Sequence, residues 1–152
     1  MAKKKTPHAK TILNRRARYD YAIGDTYIVG IELTGAETKS LRLGHGQLIG
    51  SYVTVKDNQL YLLNATINGT RGITISESDQ TRTRRLLAKR REIDKMIQAK
   101  QQGKTIIPLE LLTQSRYIKL KIATAQGKRE YDKRQTIKAR DETRNMRKLI
   151  KH

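Results

Sequence analysis

Ser51-Tyr52-Val53-Thr54-Val55-Lys56-Asp57-Asn58-Gln59-Leu60-Tyr61-Leu62-Leu63 is the stretch that decides the fold class. Two runs of β-branched, aromatic and aliphatic residues flank Lys56-Asp57-Asn58, whose polar side chains suit a tight turn, so the stretch predicts a β-hairpin. Strand signals recur on both sides of it. Upstream, Tyr19, Tyr21 and Ile23 alternate with Asp20 and Ala22, and after Gly24-Asp25 comes Thr26-Tyr27-Ile28-Val29-Gly30-Ile31-Glu32-Leu33. Downstream, Thr105-Ile106-Ile107 reads as a short strand, and Ile118, Leu120 and Ile122 alternate with Lys119 and Lys121. That last pattern predicts one buried face and one basic face.

Helical signals interrupt the strands. Thr34 and Glu37 have the spacing of a capping box, which predicts a short helix through Lys39, Leu41 and Arg42 closing near Gly44. Ile67 to Ser78, with Gly69 and Gly72, reads as a loop or irregular edge strand. Asp79 reads as an N-cap ahead of a helix from Arg82 to Lys100. It would put Leu86, Ile93 and Ile97 on one side and Arg84, Arg91 and Lys95 on the other, and stop at Gly103. Pro108 then predicts the start of a brief helix containing Leu109, Leu111 and Leu112. About six strands with two or three helices, in an order that is not βαβα, predict a mainly β fold: a closed or partly closed antiparallel barrel. With no Phe or Trp, its core must rest on Ile, Leu and Val.

The chain divides into a basic arm (1–13), the barrel (14–127) and a tail (128–152). The arm carries Lys3, Lys4, Lys5, Lys10 and Pro7, with too little apolar content to offset its own ordering entropy. The tail has ten Lys and Arg against four Asp and Glu, and no proline. Ile137, Met146, Leu149 and Ile150 make no continuous stripe in it, so an isolated helix would be marginal, and order on a polyanionic partner is expected. Lys138 and Glu142 stand at helical i,i+4 spacing.

A length of 152 residues has room for one compact domain, and the net charge of +19 exceeds what solubility needs. RNA, DNA and an anionic membrane are the candidate partners. Membrane is the weakest, because no apolar run approaches the ~20 residues of a spanning helix, and residues 1–10 lack a signal-peptide core. A cytoplasmic location follows as the expectation. Without cysteine there is no thiolate nucleophile or Cys-type zinc site. His8, His45 and His152 have no metal-ligand spacing, and no close carboxylate pair or G-x-S-x-G appears. Neither an enzyme nor a cofactor is expected.

Arg82, Arg84, Arg85, Lys89, Arg90 and Arg91 form a denser cluster than a solvated face requires, and with the basic arm and tail it points to phosphate contact. Tyr21, Tyr27, Tyr52 and Tyr61 are expected in the core. Tyr19 and Tyr131, set among charges, are the aromatic candidates for stacking on RNA bases.

Several ordered motifs resemble the bacterial SsrA-binding (small protein B) family, from about Asn14 to the end of the chain. They are Asn14-Arg15-Arg16-Ala17-Arg18-Tyr19-Asp20-Tyr21, Thr34-Gly35-Ala36-Glu37-Thr38-Lys39-Ser40-Leu41-Arg42, the Ser51-Tyr52 pair, Arg82-Thr83-Arg84-Arg85-Leu86-Leu87, Arg91-Glu92-Ile93-Asp94, and Tyr131-Asp132-Lys133-Arg134 with Lys138, Arg140 and Asp141. Ile28, Gly50 and Lys89 depart from the family pattern, which has Glu, Asp and His or Asn there; Gln80 and Ala88 depart as well. The resemblance implies an oligonucleotide-binding-type barrel that holds the tRNA-like domain of transfer-messenger RNA and enters stalled ribosomes with it. Elongation factor Tu would join through the RNA complex. RNA contact would fall to Asn14, Arg15, Arg18, Tyr19, Glu37, Lys39, Ser40, Arg42, Arg82, Arg84, Arg85 and Lys89. Ribosome contact, in the decoding region and empty mRNA channel of 16S rRNA, would fall to Tyr131, Asp132, Lys133, Arg134, Lys138 and Arg140 on a tail that is disordered when free and helical when bound. A ribosomal protein with its tail threaded through rRNA is the competing reading of the residues.

Overall fold

The computed structural model describes residues 11–128 and 130–150. In chain order the elements are β1 (Ile12–Leu13), α1 (Ala17–Asp20), β2 (Tyr21–Ile31), α2 (Gly35–Arg42), β3 (Gly46–Gln47), β4 (Tyr52–Lys56) and β5 (Gln59–Leu63). They continue with β6 (Thr66–Ile67), α3 (Glu77–Gln80), β7 (Arg84–Leu87), α4 (Arg90–Gln101), β8 (Thr105–Leu112), β9 (Lys119–Gly127) and α5 (Glu130–Ile150). The strands β8-β4-β5-β7-β2-β9 pair in that order, and β9 pairs back onto β8, so six antiparallel strands close a ring. Closure removes the open sheet edges that would otherwise seek another chain. β1 adds to the outside edge of β8, and β3 with β6 forms a separate two-stranded ribbon.

The hairpin is where the sequence puts it. Lys56 pairs with Gln59, leaving Asp57 and Asn58 as a two-residue loop with φ of 51° and 60°. Positive φ at both central positions is the turn whose twist matches its strands, and Asp and Asn are the non-glycine residues that accept it most readily. The capping box is also present: Thr34 Oγ1 accepts from Glu37 N, and Glu37 Oε1 accepts from Thr34 N.

Inside the ring, Val29, Val53, Leu60, Leu62, Leu86, Ile106, Leu120 and Ile122 make an aliphatic core, covered by Ile93 and Met96 from α4 and Leu41 from α2. Each such side chain removed from water contributes about 1.5–3 kcal/mol. The alternation of β9 holds from Ile118 to Ile122. Beyond it Ala123 and Ala125 are also buried, because α1 lays Ala17 over the outer face and forms a second small cluster with Ile107 and Leu109.

Five expectations are corrected. Residues 84–87 are not the first turn of a long helix but strand β7, with Arg84 and Leu86 inward and Arg85 and Leu87 outward, and the helix begins at Arg90. A charged residue at a buried strand position disguises the period of two. Asp79 lies within α3 and is not an N-cap. Leu109–Leu112 are not helical: β8 runs through Pro108, and Leu109 is the extra residue of a bulge opposite Ile122 and Lys121. A bulge is where a ladder tolerates a residue without an N–H. Finally, Ile12–Leu13 belong to the barrel through β1, with Ile12 buried, so the barrel begins before Asn14. Tyr19, read as part of an alternating strand, sits in the single turn of α1. Residues 1–10 of the basic arm, with Lys3, Lys4, Lys5, Pro7, His8 and Lys10, lie outside the described residues, as does His152.

In β2, Gly24 and Asp25 together oppose Thr124 in a second bulge. A Cβ on Gly24 would stand 2.9 Å from Thr124 Oγ1 and 3.0 Å from its backbone oxygen, while Asp25 N donates to the same Oγ1. The backbone oxygen has no rotamer to escape into. Gly24→Ala is expected to destabilise the barrel by about 1–3 kcal/mol, read as a lower urea midpoint with unchanged slope.

Candidate nucleic-acid interface

The motif residues segregate into two physical groups, an internal ion network and an outer basic surface. Glu37 is 1% exposed and Arg84 0%. Arg84 Nε donates to Glu37 Oε2 at 2.7 Å, Nη1 to the carbonyls of Ala65 and Arg82, and Nη2 to those of Asp79 and Gln80. Every donor of the guanidinium is satisfied. Arg82 closes the network from the surface, its Nε and Nη2 donating to Glu37 Oε2 and Oε1. Burial alone would raise the Glu37 pKa, but hydrogen bonds from Arg82, the Thr34 amide and Arg84 outweigh it and hold the carboxyl below its ordinary 4.5. Burial moves Arg84 below the usual guanidinium range, partly offset by Glu37.

Ser40 is likewise internal, its hydroxyl donating to the Asn68 carbonyl. Arg42 donates to the carbonyls of Thr113, Ser115 and Arg116. Asn14 donates its side-chain amide to the Pro108 carbonyl and its backbone N–H to that of Leu109, tying the start of α1 to the bulge. As they stand, Glu37, Ser40 and Arg84 present no surface to a macromolecule. These residues share a motif with surface ones because they build the frame.

The exposed candidates occupy two regions. On the outer face of the barrel, β7 presents Arg85 and Leu87, and Lys89 caps the start of α4. Arg85 contacts Gln59 at 3.1 Å and Glu32 at 3.7 Å. The register sets Gly30 against both Leu87 and Lys119, and Ile28 against Lys121. Gly30 has no side chain, so Leu87 packs over its backbone; a Cβ there would meet Leu87 Cβ at 3.2 Å. Arg85, Leu87, Ile28, Lys119 and Lys121 therefore form one outer surface, apolar at its centre, where Leu87 is 49% and Ile28 55% exposed. Leu87 and Ile28 were missed as contact candidates. In a strand with Arg84 and Leu86 inward Leu87 must point out, but the helical reading of residues 82–100 hid that alternation. Lys39 is exposed on α2.

The second region joins α1 to the tail. Arg15 and Arg18 are exposed, and Tyr19 lies between two cations, Arg16 at 5.5 Å and Lys133 at 5.7 Å from its ring centre. Asp20 pairs with Arg16 and Lys133, while Lys128 Nζ donates to the Arg18 carbonyl and Thr136 Oγ1. From this seat α5 runs outward with Arg134, Lys138 and Arg140 exposed. The side chains of Tyr131 and Asp132 lie outside the described residues. α5 is built from a run of helix formers free of Gly and Pro whose first turns rest on α1.

Among the described residues no group of three His, Cys, Asp or Glu side chains is placed to hold a metal ion, and no helix is long and apolar enough to cross a membrane.

Residues 11–152 match the profile of the family described as "SmpB protein". The chain belongs to that family. Curated relatives are the SsrA-binding protein of Oenococcus oeni, 42% identical over 100% of this chain and 99% of its own, and that of Lactobacillus delbrueckii subsp. bulgaricus, 44% identical over 89% of each. The SsrA-binding protein of Trichodesmium erythraeum is 42% identical over 99% of each. A solved structure described as "tmRNA-SmpB: a journey to the center of the bacterial ribosome" superposes with a TM-score of 0.66 at 36% identity, covering 84% of this chain and 94% of its own.

Because folding holds the Glu37 pKa down, its contribution is present above 4.5 and is lost as pH falls through the lowered folded value. Glu37→Ala leaves Arg84 buried and unpaired, and is expected to cost about 3–5 kcal/mol at neutral pH. Urea melts of wild type and variant from pH 7 downward should converge as the wild type loses this contribution. Parallel curves across that range would show that Glu37 does not carry it.

Proposed function

We propose that this protein binds the tRNA-like domain of transfer-messenger RNA and delivers it to stalled ribosomes, where the nascent peptide is tagged for degradation. The observation that carries the reading is the outer barrel surface of Arg85, Leu87, Lys89, Lys119 and Lys121. It is basic around an apolar centre, as a surface must be to hold phosphates and cover a folded RNA, and it lies on a chain whose family relatives are named for SsrA binding. Asn14, Glu37, Ser40, Arg42 and Arg84 serve this surface from within. Lys39 and Arg82 add cations on α2 and beside it, and Arg15 and Arg18 form a second contact region where Tyr19 links α1 to the tail.

The tail is the ribosome-contacting element: Lys133, Arg134, Lys138 and Arg140, with Tyr131 and Asp132, engage the decoding region and empty mRNA channel of 16S rRNA. Elongation factor Tu joins through the RNA, the work is done in the cytoplasm, and no catalysis or cofactor is required of the protein. A helix bearing mostly exposed cations suits a channel of phosphates better than a protein groove.

Ending the chain after Gly127 is expected to leave binding of the tRNA-like domain nearly unchanged in a gel shift and to abolish tagging on stalled ribosomes. Loss of RNA binding in that truncation would overturn the division of labour. A variant with Arg85, Lys89 and Lys119 all changed to Ala should bind that RNA more weakly, its log–log salt slope shallower by roughly 0.7–0.9 for each phosphate contact removed. Equal wild-type binding to the tRNA-like domain, ordinary tRNA and unrelated RNA would reduce the protein to a generic RNA binder.

A further inference from the structure

The connection between β8 and β9 has no regular structure, yet one side chain from elsewhere holds it. Arg42, in the last turn of α2, donates through Nη1 to the Thr113 carbonyl at 2.8 Å and the Ser115 carbonyl at 3.1 Å, and through Nη2 to the Arg116 carbonyl at 2.7 Å. Thr113 and Ile118 are buried at its two ends, and residues 114–117 between them are exposed. At its tip Tyr117 is 68% exposed, and the Arg116 guanidinium carbon lies 5.5 Å from its ring centre.

We propose that Arg116 and Tyr117 are an RNA-contact element of this protein, in which the Tyr117 ring stacks on an unpaired nucleobase and Arg116 meets an adjacent phosphate. The inference rests on the RNA-binding reading above and adds a site to it. An exposed cation–π pair adds little to the stability of a fold, so intramolecular stability gives little reason to leave this ring in water. The loop's anchoring is the second observation. Exposed loops are ordinarily the mobile parts of a fold, whereas here three carbonyls converge on one guanidinium, which ties down the backbone up to the residue before Tyr117. Pre-ordering of that kind lowers the entropy cost of a contact.

The partner's chemistry follows from the surroundings. Arg116 precedes the ring and exposed Lys119 follows it at the start of β9. A ring among cations matches stacking beside a phosphodiester backbone, the mode by which proteins hold unpaired nucleotides. Arg42 is then a positioning residue that acts through the loop, not a contact.

The test uses the full-length chain with two partners in separate arms: the isolated tRNA-like domain of transfer-messenger RNA, and vacant ribosomes. In whichever arm supplies the base, Tyr117→Ala is expected to weaken binding roughly 5- to 150-fold, while Tyr117→Trp retains it. Arg42→Gln should weaken the same arm, and in a background with both Arg116 and Tyr117 changed to Ala it should add nothing, as expected of a residue that works through that pair. Wild-type binding by Tyr117→Ala in both arms would overturn the proposal; if the Arg85/Lys89/Lys119 variant still binds weakly, the broader RNA-binding reading survives that failure. A further loss from Arg42→Gln in the Arg116→Ala, Tyr117→Ala background would overturn the positioning role. Tyr117 is exposed, so its substitution tests contact and not folding.

Discussion

The buried ion pair between Glu37 and Arg84 is the constraint on which the rest of the structure depends. One carboxylate gathers the start of α2, through the capping box, and one guanidinium gathers β7, the end of α3 and the Ala65 carbonyl just before β6. Without it, the helix, the irregular segment from 68 to 83 and the strand beside it would have no common anchor, because that segment contributes little apolar surface. Two desolvated charges are stable here only because every remaining donor and acceptor is occupied. Arg82, reaching Glu37 from the solvent side, is where this internal network meets the surface.

From that anchor the functional surface follows by alternation. Fixing Arg84 inward forces Arg85 outward; Leu86 then fills the barrel, and Leu87 is displayed over Gly30. The same strand thus carries a fully buried cation and a solvent-facing one, side by side. The tail is attached at the opposite end of β2 and β9, where Asp20, Tyr19 and the Arg18 carbonyl receive Lys133 and Lys128. The barrel surface and the tail are thus two cationic elements placed at opposite ends of the same pair of strands.

Much of this was legible in the residues. The hairpin, the capping box, the alternation of Ile118 to Ile122 and the six-strand closed architecture all follow from local rules, because at those places propensity, polarity and turn chemistry agree. Legibility failed where they conflict. Arg84 is a charged residue at a core position, so the alternation of β7 could not show. Pro108 sits in mid-strand, where only a bulge accommodates it, so it looked like a helix start. Among the site candidates, Glu37, Ser40, Arg42 and Arg84 share their motifs with surface residues, and their chemistry reads the same whether they face inward or outward.

What the sequence determined by itself was the mainly β class and most of the barrel strands, the strong positive charge, the absence of residues for thiol or clustered-histidine chemistry, and the family motifs. These depend on composition and short-range spacing. What only the tertiary structure decided was which cations are free. Of the arginines in one short motif, Arg84 is sealed against Glu37, Arg82 bridges to it and Arg85 faces solvent, while Arg42 leaves the surface to hold a loop 71 residues further along the chain. That sorting is set by which carboxylate and carbonyl groups the closed barrel brings within hydrogen-bond distance, and no local pattern encodes contacts made across it.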